Sequence, residues 1–478
     1  MDQTFANIYR ITPIVRNYDW GVKGTTSLVH KLFVHGEENS LVSNAIDVAT
    51  TPYAELWIGD HISAPCEVTP VQRCRAGKLC SNLSMGKEES MGDATYNDST
   101  ADPNISTSSN DVNAERLSTI YKRIGMSGFG AELDGCKILM KVLAIAKPLS
   151  LQLHPDPENA LRMYTNKHPG IGDSQAKPEM SVALSRFRSM CGFRPLREVI
   201  HYADRYPPFA KIIGEELLKE MQQDDANTDG SLYLKLCKKL LLDQGVKSYV
   251  PHLVDAVKGI SGVHDLSEEV FLVLHKNYGT DVSICFAFVL NCIEIQPGEA
   301  FFIPPNTLHS YVDGNCVELM NNSDNVIRCG LTSKAIDTEA FLDLIGVEVS
   351  KGGAFPQNVN YVQPIHLSPY VKRYSPLHPI CNFEVWSFVV KASTHVSHCF
   401  DNGYQPFLCL IVDTNPHVEI HGYSTLENKS PSNNDPMLNK LPFVLGDAFI
   451  IYPKVTLEVR NNGTSDFVLY LGTGKQNI

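Results

Sequence analysis

The sequence predicts a mainly β fold that contains an α-helical domain. Strand-like runs of β-branched and aromatic residues occur in both the N-terminal and the C-terminal parts of the chain. A helical period separates them between about 195 and 280, and a short segment near 298 recurs near 446. With 478 residues the chain is long enough for two or three domains. We therefore expect two β-barrels and a helical insertion domain.

Strand signals dominate residues 1–194. Ile8 to Val68 combines β-type runs such as IYRITPIV and ELWIG with turn residues, and Lys137 to His154 is an apolar run that Pro148 interrupts. Residues 74–115 between them are rich in Ser, Asn, Asp, Thr and Gly and nearly empty of large apolar side chains. Because such a segment cannot bury enough surface to order itself, we predict a disordered insertion in a surface loop.

The spacing of apolar residues becomes helical after residue 195. Leu232, Leu236 and Leu240 show the four-residue spacing that places side chains on one face of a helix. Ser267, which precedes two glutamates, is typical of an N-cap followed by an acidic first turn. We therefore expect a helical domain over 195–280.

Two short segments suggest that the barrel is duplicated. Gly298 to Pro305 (GEAFFIPP) and Gly446 to Pro453 (GDAFIIYP) both indicate a turn that leads into a strand ending in proline. An ungapped comparison pairs His309 with Leu457, so the second copy lacks this imidazole. The predicted division is a metal-bearing barrel, a helical domain and a second barrel without metal: residues 1–194 with 281–340, 195–280 and 341–478.

Composition and charge exclude several classes of function. The formal net charge of −12 at pH 7 argues against a nucleic-acid-binding surface, because phosphate binding on that scale requires clustered Lys and Arg. No stretch approaches the about 18 consecutive apolar residues that span a bilayer, and the N-terminus resembles no secretory signal. The 13 cysteines include no Cys-x-x-Cys pair, which suits neither a disulfide framework nor a zinc finger. We expect a cytoplasmic protein with no nucleic-acid or membrane partner.

Three separate segments supply candidate metal ligands. Gln152 and His154 stand two residues apart in a predicted strand, which directs both side chains to the same face. The segment from Gly298 to Asp313 is close to the second metal-bearing motif of cupin barrels, in which the turn places His309 facing inward. In the third segment, QAKPEM, the carboxylate of Glu179 follows a proline that restricts the backbone. Together these segments predict one divalent-metal site inside a β-barrel.

As a set, the motifs resemble the type I mannose-6-phosphate isomerase family. They occur in family order over about 18–334, as YDWG, ELWIG, PLSLQLHP, KPEM, the segment from Pro304 to Tyr311, and SDNVIRCGLT followed by Lys334. The resemblance implies two cupin-like (RmlC-like jelly-roll) barrels and a monomeric, zinc-dependent aldose–ketose isomerase. Such an enzyme interconverts mannose 6-phosphate and fructose 6-phosphate and feeds GDP-mannose synthesis for protein glycosylation.

The resemblance also implies the roles of individual residues. Four residues match the family's metal ligands, which would hold one Zn²⁺ per chain: Gln152, His154, Glu179 and His309. Such a mixed ligand set suits a zinc that keeps positions open to water or sugar oxygens. Arg328 matches the catalytic arginine, and Ser150, Tyr311 and Lys334 are candidate contacts for the sugar phosphate. Ala176 stands where the family usually has histidine, which argues against a proton relay through that position.

The isomerisation requires a base, because a proton moves between C1 and C2 of the open-chain sugar through an enediol. Asp313-Gly314 predicts a hairpin that brings Glu318 beside His309, which favours Glu318 as the base. Lys177 is the alternative if burial and the nearby metal lower its pKa so that the amine is unprotonated. Zinc can polarise the sugar oxygens or organise the pocket, and the sequence leaves both roles open.

Two other functions fit the same residues. A cupin isomerase of another hexose phosphate would carry the same metal site. A catalytically silent, sugar-binding cupin is suggested by Ala176 and by Asp60 and Ile62, which replace the threonine and proline common in the family. Retention of all four ligands together with Arg328 and Glu318 argues against the silent protein.

Overall fold

The described part of the chain covers most of the predicted elements. The computed structural model describes residues 8–34, 47–70, 115–126, 135–224, 230–352, 358–403, 405–424, 440–441 and 443–475. Residues 74–114 of the predicted disordered insertion lie outside these ranges, and its last residue, Glu115, begins a short strand. No helix within the described ranges has the length and apolar character that crossing a membrane requires.

The elements follow one another in three blocks. Before residue 195 they are β1 (Ile8–Ile11), β2 (Ile14–Arg16), β3 (Val22–Lys23), α1 (Leu28–Val34), β4 (Pro52–Tyr53), β5 (Glu55–His61), β6 (Ala64–Pro65), β7 (Glu67–Pro70), β8 (Glu115–Arg116), α2 (Leu117–Met126), β9 (Ile138–Ile145), β10 (Leu151–Leu153), α3 (Pro157–Thr165), β11 (Glu179–Ala183) and β12 (Phe187–Phe193). The helical block contains α4 (Leu196–Arg205), α5 (Pro207–Ile213), α6 (Glu215–Gln223), α7 (Ser231–Leu242), α8 (Val250–Lys258) and α9 (Leu266–Tyr278). The last block contains β13 (Leu290–Ile295), β14 (Ala300–Ile303), β15 (His309–Asn321), β16 (Ile327–Gly330), α10 (Thr338–Ser350), β17 (Asn360–Tyr361), β18 (Ile365–His366), β19 (Val371–Tyr374), β20 (Phe383–Val390), β21 (Thr394–Phe400), β22 (Phe407–Asp413), β23 (Val418–Ser424), β24 (Lys440–Leu441), β25 (Ala448–Ile451), β26 (Val455–Asn461) and β27 (Phe467–Gly474). Short 3₁₀ turns occupy Gly24–Thr26, Gln244–Tyr249 and Val282–Phe288.

Two large antiparallel sheets organise the strands. The 12-stranded sheet runs β17-β14-β11-β15-β9-β5-β2 along its main path, and β6, β10, β12, β13 and β16 attach beside it. The 9-stranded sheet runs β18-β19-β20-β27-β22-β25-β1-β7-β8. Because β1 pairs with β25, the N-terminal strand belongs to the sheet that the C-terminal residues build. The predicted mixture of antiparallel sheets and helices is confirmed, and the division into three domains stays a prediction.

The helical block packs around one aromatic side chain. Phe288, at the end of the 3₁₀ turn before β13, is fully buried and contacts four aromatic rings with centroids 4.8 to 5.6 Å away: Tyr202, Tyr206, Phe209 and Phe271. Such aromatic pairs contribute packing energy beyond the area they bury. The apolar period that predicts helices over 195–280 is thus explained by a shared core. This core fixes the helices against β13, which pairs with β12.

The predicted N-cap of the last helix in this block is wrong. Helix α9 begins one residue after Asp265, whose carboxylate accepts from the backbone N–H of Glu268 at 3.0 Å. The Glu268 carboxylate accepts in return from the backbone N–H of Asp265, which completes a capping box. Ser267 is already inside the helix, where its hydroxyl accepts from the guanidinium of Arg194 at 2.7 Å.

Strand β15 replaces the hairpin predicted at Asp313-Gly314, so that prediction is also wrong. The strand is continuous from His309 to Asn321, pairing with β12 in its first part and with β9 and β11 in its second. Gly314 has φ of +110°, and a Cβ there would lie 2.4 Å from the carbonyl oxygen of Arg186. A glycine therefore lets the strand bend and pass closely by its neighbour without turning back.

The two similar segments form similar strands. β14 (Ala300–Ile303) and β25 (Ala448–Ile451) are both fully buried, and each is followed by a longer strand. In the first case His309 lies opposite Gln152, whereas in the second Leu457 lies opposite His398. The surroundings of His398 are aromatic, because its ring contacts Phe388 and Phe400 at centroid distances of 6.2 and 4.8 Å. The position that pairs Gln152 with His309 in the first case is therefore apolar in the second, where Leu457 pairs with a histidine that packs on aromatic rings.

Candidate metal centre and active site

Four adjacent strands bring polar side chains onto one face of the 12-stranded sheet. The strand register pairs Trp57 with Lys141, Lys141 with Glu318, and Glu318 with Ser181. Because residues directly opposite one another on paired strands share a face, these side chains form one row. Glu179 lies two residues before Ser181 on β11 and points to the same face. Strand pairing therefore joins residues that are far apart in the sequence.

His154, Glu179 and His309 form a buried cluster. One ligand atom of each residue lies within 4.8 Å of the other two, and within the described ranges this is the one group of three or more such residues that could hold a metal ion. Nε2 of His154 is 3.2 Å from Oε1 of Glu179, and Nε2 of His309 is 3.5 Å from Oε2 of the same carboxylate. All three side chains are almost completely buried. The cluster thus contains the three strongest ligands of the predicted set.

Backbone carbonyl groups fix the protonation of both imidazoles. Nδ1 of His154 donates to the carbonyl of Asn325 at 2.7 Å, and Nδ1 of His309 donates to the carbonyl of Thr307 at 2.9 Å. Burial lowers the pKa of both rings, in the case of His309 to about 4. At neutral pH each ring is therefore neutral, and each directs the lone pair of its Nε2 at the carboxylate of Glu179.

The cluster contains more acceptors than its own donors can satisfy. Burial raises the pKa of Glu179, but the charge of Lys177, whose Nζ lies 3.1 Å from Oε1, holds it well below its usual value. The carboxylate is therefore ionised and faces two lone pairs, and Nε2 of His154 has no hydrogen-bond partner. A divalent cation removes this repulsion and is bound by nitrogen and oxygen donors of this kind. The residues present thus fit a metal ion.

Gln152 is placed to complete the ligand set. Its Nε2 lies 3.4 Å from Nε2 of His309, and its Oε1 accepts from the hydroxyl of Ser150 at 2.7 Å. A 180° rotation of the amide exchanges the oxygen and the nitrogen, which presents the oxygen to the cluster and a donor to the serine. Ser150 can support either orientation, because its hydroxyl both donates and accepts.

Glu318 lies on the same face, in a network of its own. Its Oε1 accepts from the hydroxyl of Tyr311 at 2.9 Å, and its Oε2 lies 3.2 Å from Nζ of Lys141. The Tyr311 hydroxyl also lies 2.8 Å from the hydroxyl of Ser181. Burial and the charge of Glu179 raise the pKa of Glu318, although Lys141 opposes this shift. The structure thus supports Glu318 through Tyr311 and Lys141 and not through a hairpin.

Arg328 and Lys334 are two neighbouring cations of this site. Arg328 lies opposite Gln152 on the paired strands β16 and β10, which places it beside the metal cluster. Within the described ranges, neither Arg328 nor Lys334 has a carboxylate within the 4.0 Å of an ion pair. Burial lowers the pKa of both side chains, and the charge of Arg328 lowers that of Lys334 further. Two adjacent cations that form no ion pair with a carboxylate in the described part of the chain make a site that attracts an anion.

Sequence reasoning missed two charged groups of this site. Lys141 is buried, and its Nζ lies 3.7 Å from Glu55 and 3.2 Å from Glu318. A lysine in the middle of the apolar run KILMKVLAI was the signal that could have revealed it. Asp324 was also missed, and Nε2 of the buried His61 donates to its carboxylate at 3.1 Å. No spacing rule joins Lys141 to Glu318 or His61 to Asp324, because these pairs form only in the folded chain.

Comparison with known proteins identifies the family. The family model of the phosphomannose isomerase type I catalytic domain matches residues 8–102 and 99–196. A Dictyostelium discoideum protein named as a probable mannose-6-phosphate isomerase is 34% identical over 336 residues, which cover 70% of this chain and 68% of that protein. This chain belongs to the type I phosphomannose isomerase family.

Another relative and a solved structure are also similar to this chain. The mannose-6-phosphate isomerase of Rattus norvegicus is 29% identical over 398 residues, covering 81% of this chain and 83% of that protein. The crystal structure of mannose 6-phosphate isomerase from Salmonella typhimurium, bound to its substrate and to zinc, matches with a TM-score of 0.65 at 18% identity. The match covers 98% of this chain and 100% of that chain, and it shows a shared fold.

Proposed function

We propose that this protein is a zinc-dependent mannose-6-phosphate isomerase that interconverts D-mannose 6-phosphate and D-fructose 6-phosphate. One observation carries the proposal: in a member of the type I phosphomannose isomerase family, two neutral imidazoles direct lone pairs at a buried, ionised carboxylate. His154, Glu179 and His309 would hold the metal, with Gln152 as the fourth ligand. Zinc suits this set, since three or four nitrogen and oxygen ligands leave a position open for a substrate oxygen.

Glu318 is the proposed base. When bound, the metal supplies Lewis-acid polarisation of the sugar oxygens, which makes the neighbouring C–H bond more acidic. Burial and Glu179 raise the pKa of Glu318, and a carboxylate with a raised pKa is a better proton acceptor. Each carboxylate oxygen keeps a second lone pair beside its contact with Tyr311 or Lys141. Glu318 can thus move the proton between C1 and C2.

Lys177 serves better as a donor than as the alternative base. As an ammonium it donates to Glu179 at 3.1 Å and has no lone pair to accept a proton. The same ammonium can stabilise a negatively charged sugar oxygen near the ligand cluster. Tyr311, expected to contact the substrate, is buried with its hydroxyl bonded to Glu318 and Ser181. We assign it the task of holding Glu318 in place.

The phosphate of the substrate is assigned to Arg328 and Lys334. Both side chains lack a carboxylate partner within the described ranges, and a dianion bound between them removes their mutual repulsion. Arg328 can donate two parallel hydrogen bonds to phosphate oxygens, which gives direction as well as charge. When the amide oxygen of Gln152 faces the metal, the hydroxyl of Ser150 accepts from the amide and supports the fourth ligand, and its own proton stays available to the sugar phosphate.

Several finer features complete the proposal. The two large antiparallel sheets are consistent with two cupin-like jelly-roll barrels, of which only the first carries metal ligands within the described residues. The formal net charge of −12 and the lack of a membrane-length apolar run support a protein without nucleic-acid or membrane partners, and we infer a cytoplasmic monomer. The product chemistry supports a role in GDP-mannose synthesis and glycosylation.

A coupled isomerase assay tests the proposal. The zinc-loaded protein is offered mannose 6-phosphate or glucose 6-phosphate, and formation of fructose 6-phosphate is followed before and after chelation. We expect turnover of mannose 6-phosphate that chelation abolishes and zinc restores. Turnover of glucose 6-phosphate alone would identify an isomerase of another hexose phosphate. Absence of turnover in fully zinc-loaded protein would leave the silent, sugar-binding cupin as the correct function.

A further inference from the structure

Tyr18 lies under the ammonium group of Lys334. Nζ of Lys334 is 5.2 Å from the centre of the Tyr18 ring, within the range of a cation–π interaction. Tyr18 is half-buried and stacks on Trp20, with ring centroids 5.8 Å apart and an interplanar angle of 27°. A lysine side chain has four rotatable bonds and no preferred direction without a partner. The aromatic face is therefore the contact that restricts this ammonium.

The turn that carries Tyr18 is fixed to the strands of the active site. The carbonyl of Trp20 accepts from the backbone N–H groups of Ala146 and Lys147 at 3.0 and 3.1 Å. The N–H of Gly21 donates to the carbonyl of Tyr18 at 3.0 Å, and a Cβ on Gly21 would lie 2.7 Å from the backbone of Ala54. Because the turn is joined to the residues just after β9, the Tyr18 ring is a rigid platform.

The acidic residue of this turn forms its ion pair with another lysine, although its charge also acts on Lys334. Asp19, the acidic residue beside Tyr18, pairs with Lys147 at 3.2 Å. The charges that act on the phenol of Tyr18, after burial, include those of Glu55 and Lys141, so the phenol faces the active site. Tyr18 and Arg328 also interact electrostatically, so Tyr18 lies near both cations of the anion site.

We propose that Tyr18 is the positioning residue for Lys334 and thereby sets the preference for a phosphorylated hexose. Its ring holds the ammonium near the guanidinium of Arg328, so that both cations contact one phosphate group. This inference rests on the proposed function, because it assigns the phosphate of that substrate to the same two cations. The ring, and not the hydroxyl, carries the effect, since the contact with Lys334 is made by the aromatic face.

A double-mutant cycle on phosphate binding tests the proposal. The probe is inorganic phosphate, titrated calorimetrically into the full, zinc-loaded chain after free zinc has been removed. Lys334→Met and Tyr18→Leu are each expected to weaken phosphate binding about tenfold. The double variant is expected to bind about as weakly as either single variant, since both changes remove the same contact. Tyr18→Phe keeps the ring and should bind phosphate like the unchanged protein.

Two outcomes would overturn the proposal. One is an effect of the double variant close to a hundredfold, because independent contributions multiply. The other is unchanged phosphate binding by Lys334→Met, which decides against the proposal even if Tyr18→Leu does not fold. Tyr361→Leu, which changes an exposed tyrosine on β17, is the matched control and should have no effect.

The binding measurement separates this inference from the proposed function. Phosphate binding does not require turnover, so a chain that binds phosphate in the expected pattern but does not isomerise mannose 6-phosphate disproves only the function. If the chain is an active isomerase, Tyr18→Leu should raise KM for mannose 6-phosphate about tenfold with little change in kcat. A fall in kcat with unchanged KM would show that Tyr18 acts on the chemical step and not through Lys334.

Discussion

Nε2 of His154 lies 3.2 Å from Oε1 of Glu179, yet neither atom has a proton to share. The imidazole proton is on Nδ1, where it is donated to the carbonyl of Asn325, and Glu179 is ionised. Two acceptors this close and this deeply buried repel each other unless a cation lies between them. The same holds for His309, 3.5 Å from the second oxygen of Glu179. The arrangement is explained by metal binding.

Removal of either imidazole should remove the metal. We expect His154→Ala and His309→Ala to reduce zinc from about one per chain to a small fraction, and activity by more than about a hundredfold. Elemental analysis of the purified variants measures the first effect, and the isomerase assay measures the second. His398→Ala, which changes a half-buried histidine on β21, should keep its zinc. Full zinc content in both cluster variants would show that other residues bind the metal.

The stability of the metal-free protein should fall in acid because of His309. Burial and the charge of His154 lower the pKa of His309 from 6.5 to about 4. Between these values the unfolded chain binds a proton that the folded chain does not, so stability decreases as the pH falls from 6.5 to 4. For this residue the loss is about 3 kcal/mol. Denaturant unfolding of the chelated protein measures it, and His309→Gln should show a smaller loss over the same window. Equal losses in both proteins would contradict the prediction.

Replacement of the proposed base should abolish proton transfer while keeping the metal. We expect Glu318→Gln to lower kcat about a thousandfold, because an amide cannot accept the carbon-bound proton. Exchange of the C2 proton with deuterated solvent, followed by nuclear magnetic resonance, should stop, and zinc content should not change. Glu384→Gln is the matched control, since it changes a buried strand glutamate in the other sheet that accepts from a tryptophan. Continued exchange in Glu318→Gln would transfer the role of base to Lys177 or another group.

The bend in β15 should depend on Gly314. A Cβ at this position would lie 2.4 Å from the carbonyl oxygen of Arg186, and φ is +110°. We expect Gly314→Ala to lower the free energy of unfolding by about 3 kcal/mol, measured with urea. Gly352→Ala is the control for the backbone strain alone, because φ is +68° and no atom lies within 4 Å of the added carbon. It should lose about 1 kcal/mol. Similar losses in the two variants would show that the close approach to Arg186 is unimportant.

The local part of the site was predictable from the sequence. The shared face of Gln152 and His154 follows from strand geometry, and His309 was predicted from the resemblance of its segment to a cupin motif. Helices over 195–280 followed from the apolar period in the same way. The sequence also contains the capping box of α9, because Asp265 and Glu268 have the required spacing. The two glutamates after Ser267 favoured the serine as N-cap, and that prediction was wrong.

The remaining features depend on contacts between distant segments. Lys141 is recognised as part of the site only from the register of β9 and β15, which places it opposite Glu318. The continuous course of β15 depends on the neighbouring backbone at Arg186, since Asp-Gly by itself is typical of a hairpin turn. The apolar surroundings of Leu457 likewise required the pairing with β21, although the loss of histidine at that position was visible in the sequence.

Anomalous diffraction at the zinc absorption edge tests the central claim most directly. Crystals grown from catalytically active protein should give one zinc peak per chain, surrounded by Nε2 of His154, Nε2 of His309 and the carboxylate of Glu179. The amide oxygen of Gln152 should face the same peak. An active crystal with its zinc peak elsewhere, or with no peak at this cluster, would contradict the account.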